Sequence, residues 1–218
     1  MSGLEMKMLV AGSVGKLTVS SGAAIFDFDR TLIHSGSLAP VLAELVGRPR
    51  LGLAYARAGM RAAAAPTERR AEIFRNSLLA LTAGKTEADL IAAAERAFVG
   101  LRWRESMLSA YLNHRGAGHR ITVASGGLAC CVRRLLELKG LAVDALIATE
   151  MELADGVLTG RIAGSACVGA EKARRAKVWL GGVTTEVWGY GNLPADRAML
   201  ALAEFPVSVS AFGVRAAQ

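Results

Sequence analysis

Ala23-Ala24-Ile25-Phe26-Asp27-Phe28-Asp29-Arg30-Thr31-Leu32 is the stretch that decides the fold. An apolar run that ends on an acid reads as a short strand buried on both faces, because such a strand has no polar side to alternate with. In an extended chain, residues two apart point the same way, so Asp27 and Asp29 are expected on one side of the strand's end. Open α/β sheets place their ligands at that end. Two crowded carboxylates repel, and they require a cation or a shared proton.

Outward from this strand, the pattern over 38–105 turns helical. Ala, Leu and Arg recur at three- and four-residue spacing, broken at Gly47-Arg48-Pro49, Pro66 and Gly84, which predicts roughly four helices and no strand. A helix is expected over 105–115, a strand over 120–124, a helix over 128–139 and a strand over 144–148. Residues 150–162 alternate around Asp155-Gly156, a hairpin signal. A helix from Gly169, a strand over 186–190, a helix from Pro194 and a last strand over 207–210 complete the pattern. Strands alternating with helices predict an α/β fold, a Rossmann-like parallel sheet with helices on both faces. The helical block reads as an inserted small helical-bundle cap, 36–105. The core domain is then 1–35 and 106–218, with 1–22 an N-terminal extension rich in Gly and Ser.

Composition narrows the function classes. Of the 218 residues, 52% are hydrophobic, enough for a sizeable core, yet no uncharged run is long enough to span a bilayer. The longest candidate, 51–65, is interrupted by Arg57 and Arg61 and stopped by Pro66. Lys16 follows the short apolar patch near the N-terminus too soon for a signal peptide, so a cytoplasmic protein is expected. Cys130, Cys131 and Cys167 form no CxxC pair, which suits reduced thiols. The net charge of +7 favours anionic partners. No nucleic acid partner is expected, because no basic cluster is interleaved with aromatics. An anionic small molecule or a membrane surface remains open, and the oligomeric state is not legible.

Three later segments add chemistry. Ile121-Thr122-Val123-Ala124-Ser125-Gly126-Gly127 delivers a hydroxyl and then two glycines; Cys167-Val168-Gly169-Ala170-Glu171-Lys172 puts a lysine near a helix start. Gly189-Tyr190-Gly191-Asn192-Leu193-Pro194-Ala195-Asp196 sets Asn192 and Asp196 four residues apart. Alone, Ser125 reads as a turn or cap residue. Lys172, beside Arg174, Arg175 and Lys177, reads alone as part of a solvated helix face. Taken in order with Asp27 and Asp29, however, the four segments resemble the motifs of haloacid dehalogenase superfamily phosphatases over about residues 23–210.

The resemblance implies a mechanism. Asp27 would be the nucleophile, giving an aspartyl-phosphate. Asp29 would be the acid that protonates the leaving oxygen and then the base that activates water. Ser125, Gly126 and Lys172 would hold the phosphate, and Asp27, Asp29 and Asn192 would hold Mg²⁺. Asp196 would support Lys172 or the metal's waters from behind. Asn192 is a departure, since many family members carry Asp there; its amide oxygen can still ligate, with one negative charge fewer. The expected partner is a small phosphate monoester, and a lipid phosphate fits too. Phosphotransfer to another acceptor and noncatalytic phosphate binding are the alternative readings.

The helical insert resembles the cap of the phosphoserine phosphatase-like subgroup. That enzyme holds its substrate's ammonium with a carboxylate shortly after the first motif, and His34-Ser35-Gly36-Ser37-Leu38 has no acid. Phosphoserine itself is therefore disfavoured. The insert carries 11 basic and 7 acidic residues, and Arg57, Arg61, Arg69, Arg70 and Arg75 are candidate substrate contacts. His34, His114 and His119 show no metal-ligand spacing, and Trp103, Trp179 and Trp188 read as packing residues.

Overall fold

The computed structural model describes residues 22–181, 186–210 and 213–216. The expected N-terminal extension therefore lies outside the described residues, apart from Gly22. Strand β1 (Gly22–Asp27) is buried along its whole length. Ala24 and Phe26 pack into a large core on one side, while Ala23 and Ile25 pack into a smaller one on the other. This two-sided burial is the reason the run is apolar without alternation.

Four helices follow: α1 (Leu38–Val46), α2 (Arg48–Ala63), α3 (Arg70–Leu79) and α4 (Glu87–Phe98). Gly47 separates α1 from α2 with φ of +83°, a left-handed conformation that glycine adopts without strain. α4 starts at a reciprocal cap, where Thr86 accepts from Asp89 N–H and Asp89 accepts from Thr86 N–H. Leu42, Leu51, Ala58 and Leu78 give α1–α3 a small core of their own. α4 instead joins the main core through Leu90, Ala93 and Ala94.

The chain then runs through α5 (Glu105–Gly116), β2 (Arg120–Leu128), α6 (Ala129–Lys139) and β3 (Ala145–Thr149). A hairpin of β4 (Met151–Ala154) and β5 (Val157–Ile162) forms a separate two-stranded sheet. α7 (Gly169–Leu180), β6 (Glu186–Gly191), α8 (Arg197–Leu200), β7 (Phe205–Ser210) and β8 (Gly213–Ala216) complete the order. The main sheet is β3-β2-β1-β6-β7-β8, parallel except for β8. The α/β expectation is met. β1 lies where the chain order reverses, with β2 on one side and β6 on the other, and a cleft opens at such switch points.

Three local expectations are corrected. β7 is not the last strand, because Val207 to Ser210 pairs antiparallel with β8. No helix begins at Pro194: residues 192–196 form a turn, Asp196 N–H donating to the Asn192 carbonyl, and α8 starts at Arg197. β2 does not end at Ala124 but continues to Leu128, with a bulge against β3 that holds Ser125, Gly126 and Gly127.

Candidate active site

Strand register brings the four segments together. Asp27 pairs with Ala124 of β2, so Ser125 is the next residue along. Phe26 pairs with Tyr190 of β6, which sets Asp27 beside Gly191 and Asn192. Beneath them Phe26 and Tyr190 stack with ring centres 4.4 Å apart, and the Tyr190 hydroxyl bonds His114 Nε2 at 2.9 Å.

Asp27 is buried at the end of β1 and is fully partnered. Lys172 Nζ donates to its Oδ1 at 2.7 Å, Thr31 Oγ1 to its Oδ2 at 2.8 Å, and Asn192 Nδ2 to the same Oδ2 at 3.1 Å. Lys172 also donates to Asp196 Oδ1 at 2.7 Å. Asp196 Oδ2 in turn accepts the Asn192 N–H at 2.9 Å, so one carboxylate fixes both the lysine and the turn. Lys172 therefore lies inside the site rather than on the solvated face of α7. Gly191 is required here, since a Cβ would come within 2.7 Å of Asp196 Cβ.

Burial pushes the Asp27 carboxyl up to about 7, with Lys172 opposing the rise and Asp196 adding to it. Burial works against the Lys172 ammonium, but Asp27 and Asp196 outweigh it and hold its pKa above the ordinary value. Asp29 is also raised by burial, with its hydrogen bonds from Ser37 opposing.

Asp29 is not on an extended face shared with Asp27. The chain leaves β1 in a tight loop closed by Ile33 N–H to the Phe28 carbonyl, and Arg30 within it takes φ of +64°. The Asp29 side chain accepts Ser37 N–H at 2.7 Å, while its main-chain carbonyl accepts Asn192 Nδ2 at 3.2 Å. Ser125 is fully buried inside β2, and its Oγ accepts Gly127 N–H at 3.0 Å. Gly126 has Val168 against it, where a Cβ would meet Val168 Cγ1 at 2.9 Å.

Asp27 Oδ2, the Asp29 carbonyl and the Asn192 side chain converge on one point. The amide presents nitrogen rather than the expected oxygen, because two facing acceptors are best satisfied by a donor. The separations of 3.1 and 3.2 Å also match neighbouring ligands of an octahedral ion. Bonds of about 2.1 Å put adjacent oxygens roughly 3 Å apart. With the amide turned to offer Oδ1, the three oxygens suit a small hard cation. Among the described residues, no group of three or more His, Cys, Asp or Glu side chains offers a competing site.

Of the five candidate arginines in the helical insert, Arg75 alone lines a cleft of about 710 Å³ that is also walled by Val168, Ser165 and Thr159. Its Nε is buried without a partner. Arg57 and Arg61 lie on an outer cleft, and Arg69 and Arg70 are exposed. The sequence reading missed Thr31 and Ser37, small polar residues in a loop whose hydrogen bonds to Asp27 and Asp29 have no signature in spacing. It also missed the His114 Nδ1 contact with His119 Nδ1 at 2.8 Å.

Comparison with known proteins accords with this arrangement. A family model described as haloacid dehalogenase-like hydrolase matches residues 24–201. The chain is 29% identical over 184 residues to a phosphoserine phosphatase from Idiomarina loihiensis, covering 83% of this chain and 73% of that protein. A HAD family hydrolase from Salmonella enterica serovar Typhi superposes with a TM-score of 0.64 at 19% identity, over 87% of this chain and 62% of that one. A phosphoserine phosphatase solved as a phospho-aspartyl intermediate analogue has a TM-score of 0.57 at 19% identity, over 84% and 83% of the two chains. These solved structures share the fold. With a family model that spans residues 24–201, and so all four segments of the site, the chain belongs to the haloacid dehalogenase-like hydrolase family.

Proposed function

We propose that the protein is a Mg²⁺-dependent phosphate monoester hydrolase working through an aspartyl-phosphate on Asp27. One observation carries the reading: the buried Lys172 ammonium, 2.7 Å from both Asp27 and Asp196, beside the Asn192 and Asp29 groups that suit a cation. Such a site presents a carboxylate nucleophile where phosphate charge is offset on two sides.

In the first step an Asp27 carboxylate oxygen attacks phosphorus, the bond to the leaving oxygen breaks, and Asp29 gives that oxygen its proton. The raised pKa of Asp29 suits the donor role. In the second step Asp29 takes a proton from water, which attacks the aspartyl-phosphate and frees inorganic phosphate and Asp27. Ser125 Oγ, the Gly126 N–H and Lys172 hold the phosphate oxygens, and Asp196 keeps Lys172 in place. When bound, Mg²⁺ would neutralise phosphate charge, held by Asp27, the Asp29 carbonyl and Asn192.

The helical segment 36–105 serves as a cap over a core formed by 1–35 and 106–218, excluding water during transfer. The substrate is a small organic phosphate. The lack of an acid over 34–38 argues against phosphoserine, and the unpartnered Arg75 Nε favours a second anionic group on the substrate.

The test is release of phosphate from an aryl phosphate with Mg²⁺, compared with chelated enzyme and with Asp27→Asn. Turnover by the wild type alone, lost on chelation, is expected. Wild type and variant equally inert across sugar, amino-alcohol and lipid phosphates would sink the reading in favour of phosphate binding.

A further inference from the structure

The second helix of the insert has an outer face that the proposed chemistry does not use. α2 contains Arg48, Arg50, Arg57 and Arg61 and no acidic residue. Arg50, Leu53, Arg57, Met60 and Arg61 recur at helical spacing, which gathers them on one stripe. All five are exposed, Leu53 at 52% and Met60 at 67%. The stripe is not the packing side of the helix, since Leu51 and Ala58 point inward with Leu42 and Leu78.

Several arginines elsewhere on the surface have acidic partners: Arg96 with Glu44, Arg134 with Glu95, Arg161 with Glu152, Arg174 and Arg175 with Glu171. Among the described residues, none of the four α2 arginines makes an ion pair. Arg50, Arg57 and Arg61 line a shallow cleft of about 210 Å³ floored by Ala58 and Leu81.

We propose that this stripe docks the protein on an anionic bilayer surface. Unpaired guanidinium groups suit the headgroup layer, and protruding aliphatic side chains suit the boundary beneath it; interfacial helices combine the two. Nucleic acid is a poorer fit, because the stripe has no aromatic side chain on which a base could stack. The net charge of +7 adds long-range attraction of the same sign. The inference is independent of the chemistry assigned to Asp27.

Co-sedimentation of the full chain with phosphatidylcholine vesicles, with and without phosphatidylglycerol, tests it. Binding only to the anionic vesicles, weakened by salt, is expected. Each arginine at such a surface contributes roughly fivefold, so a double Arg57→Gln, Arg61→Gln variant should bind roughly 25-fold more weakly. A Leu53→Ser, Met60→Ser variant, unchanged in charge, should also lose affinity. A Lys177→Gln, Arg215→Gln variant has the same charge change elsewhere and should lose far less. Thermal unfolding of each variant checks that the fold is kept. Wild type remaining in the supernatant, equal losses in the two charge variants, or full binding by the Leu53/Met60 variant would each overturn the proposal.

Discussion

A Lys172→Met substitution keeps most of the side-chain length but removes the ammonium that touches both Asp27 and Asp196. Both carboxylates are 2% exposed and would be left without that counter-charge. Removing one partner of a buried ion pair is destabilising by about 3–5 kcal/mol. For a chain of 218 residues, each kcal/mol lowers Tm by roughly 2–4 °C, giving a fall of roughly 6–20 °C. The deficit should depend on pH. Burial already raises Asp27 from 3.8 to about 7 against the pull of Lys172, so removing the lysine raises it further. An acid whose folded pKa exceeds its unfolded value binds protons more tightly when folded, so stability falls as pH rises from the unfolded value through the folded one. The variant's deficit is therefore small near pH ~5 and largest above pH ~8. Urea unfolding at both pH values, followed by tryptophan fluorescence, measures it. A deficit below about 1 kcal/mol, the size of a surface pair, or one equal at both pH values would refute the reasoning.

Asn192→Asp places a carboxylate where an amide donates to Asp27 Oδ2 and the Asp29 carbonyl. Calorimetric titration should show Mg²⁺ binding tightened roughly tenfold, and unchanged affinity would remove Asn192 from the metal site. Gly191→Ala drives a Cβ to within 2.7 Å of Asp196, so turnover should fall with a stability loss of about 1–3 kcal/mol; normal turnover would show that Asp196 need not stay where it is. Arg75→Gln should lower kcat/KM roughly tenfold or more for phosphates carrying a second anionic group, and leave simple alkyl phosphates unchanged. Equal losses on both substrate types would place Arg75 outside substrate recognition.

The sheet was legible because burial on both faces leaves its mark in sequence: Ala23 to Phe26 is apolar without a break, and strands alternate with helices from there on. The clustering of Asp27, Lys172, Asn192 and Asp196 was implied by the resemblance of the four segments, in their order, to a family's motifs; Lys172 read alone belongs to a solvated helix face. What stayed hidden depends on contacts between distant residues. Ser125 lies within β2 because the bulge absorbs it, and a Ser-Gly-Gly run reads locally as a turn. β1 ends at Asp27 and the chain turns at once into the loop over Phe28–Leu32, so the two-residue alternation of a strand does not carry on to Asp29. Which end of the Asn192 amide faces Asp27 follows from the acceptors around it. β8 escaped notice because Gly213–Ala216 is short and mostly exposed, with little apolar pattern to find.

The most direct measurement of the central claim is covalent. Enzyme quenched in acid during turnover of an aryl phosphate, then digested and analysed by mass spectrometry, should carry one phosphoryl group on the peptide containing Asp27. The Asp27→Asn protein should carry none and release no phosphate. A phosphoryl group on another residue, or undiminished turnover by Asp27→Asn, would contradict the assignment of Asp27 as the nucleophile.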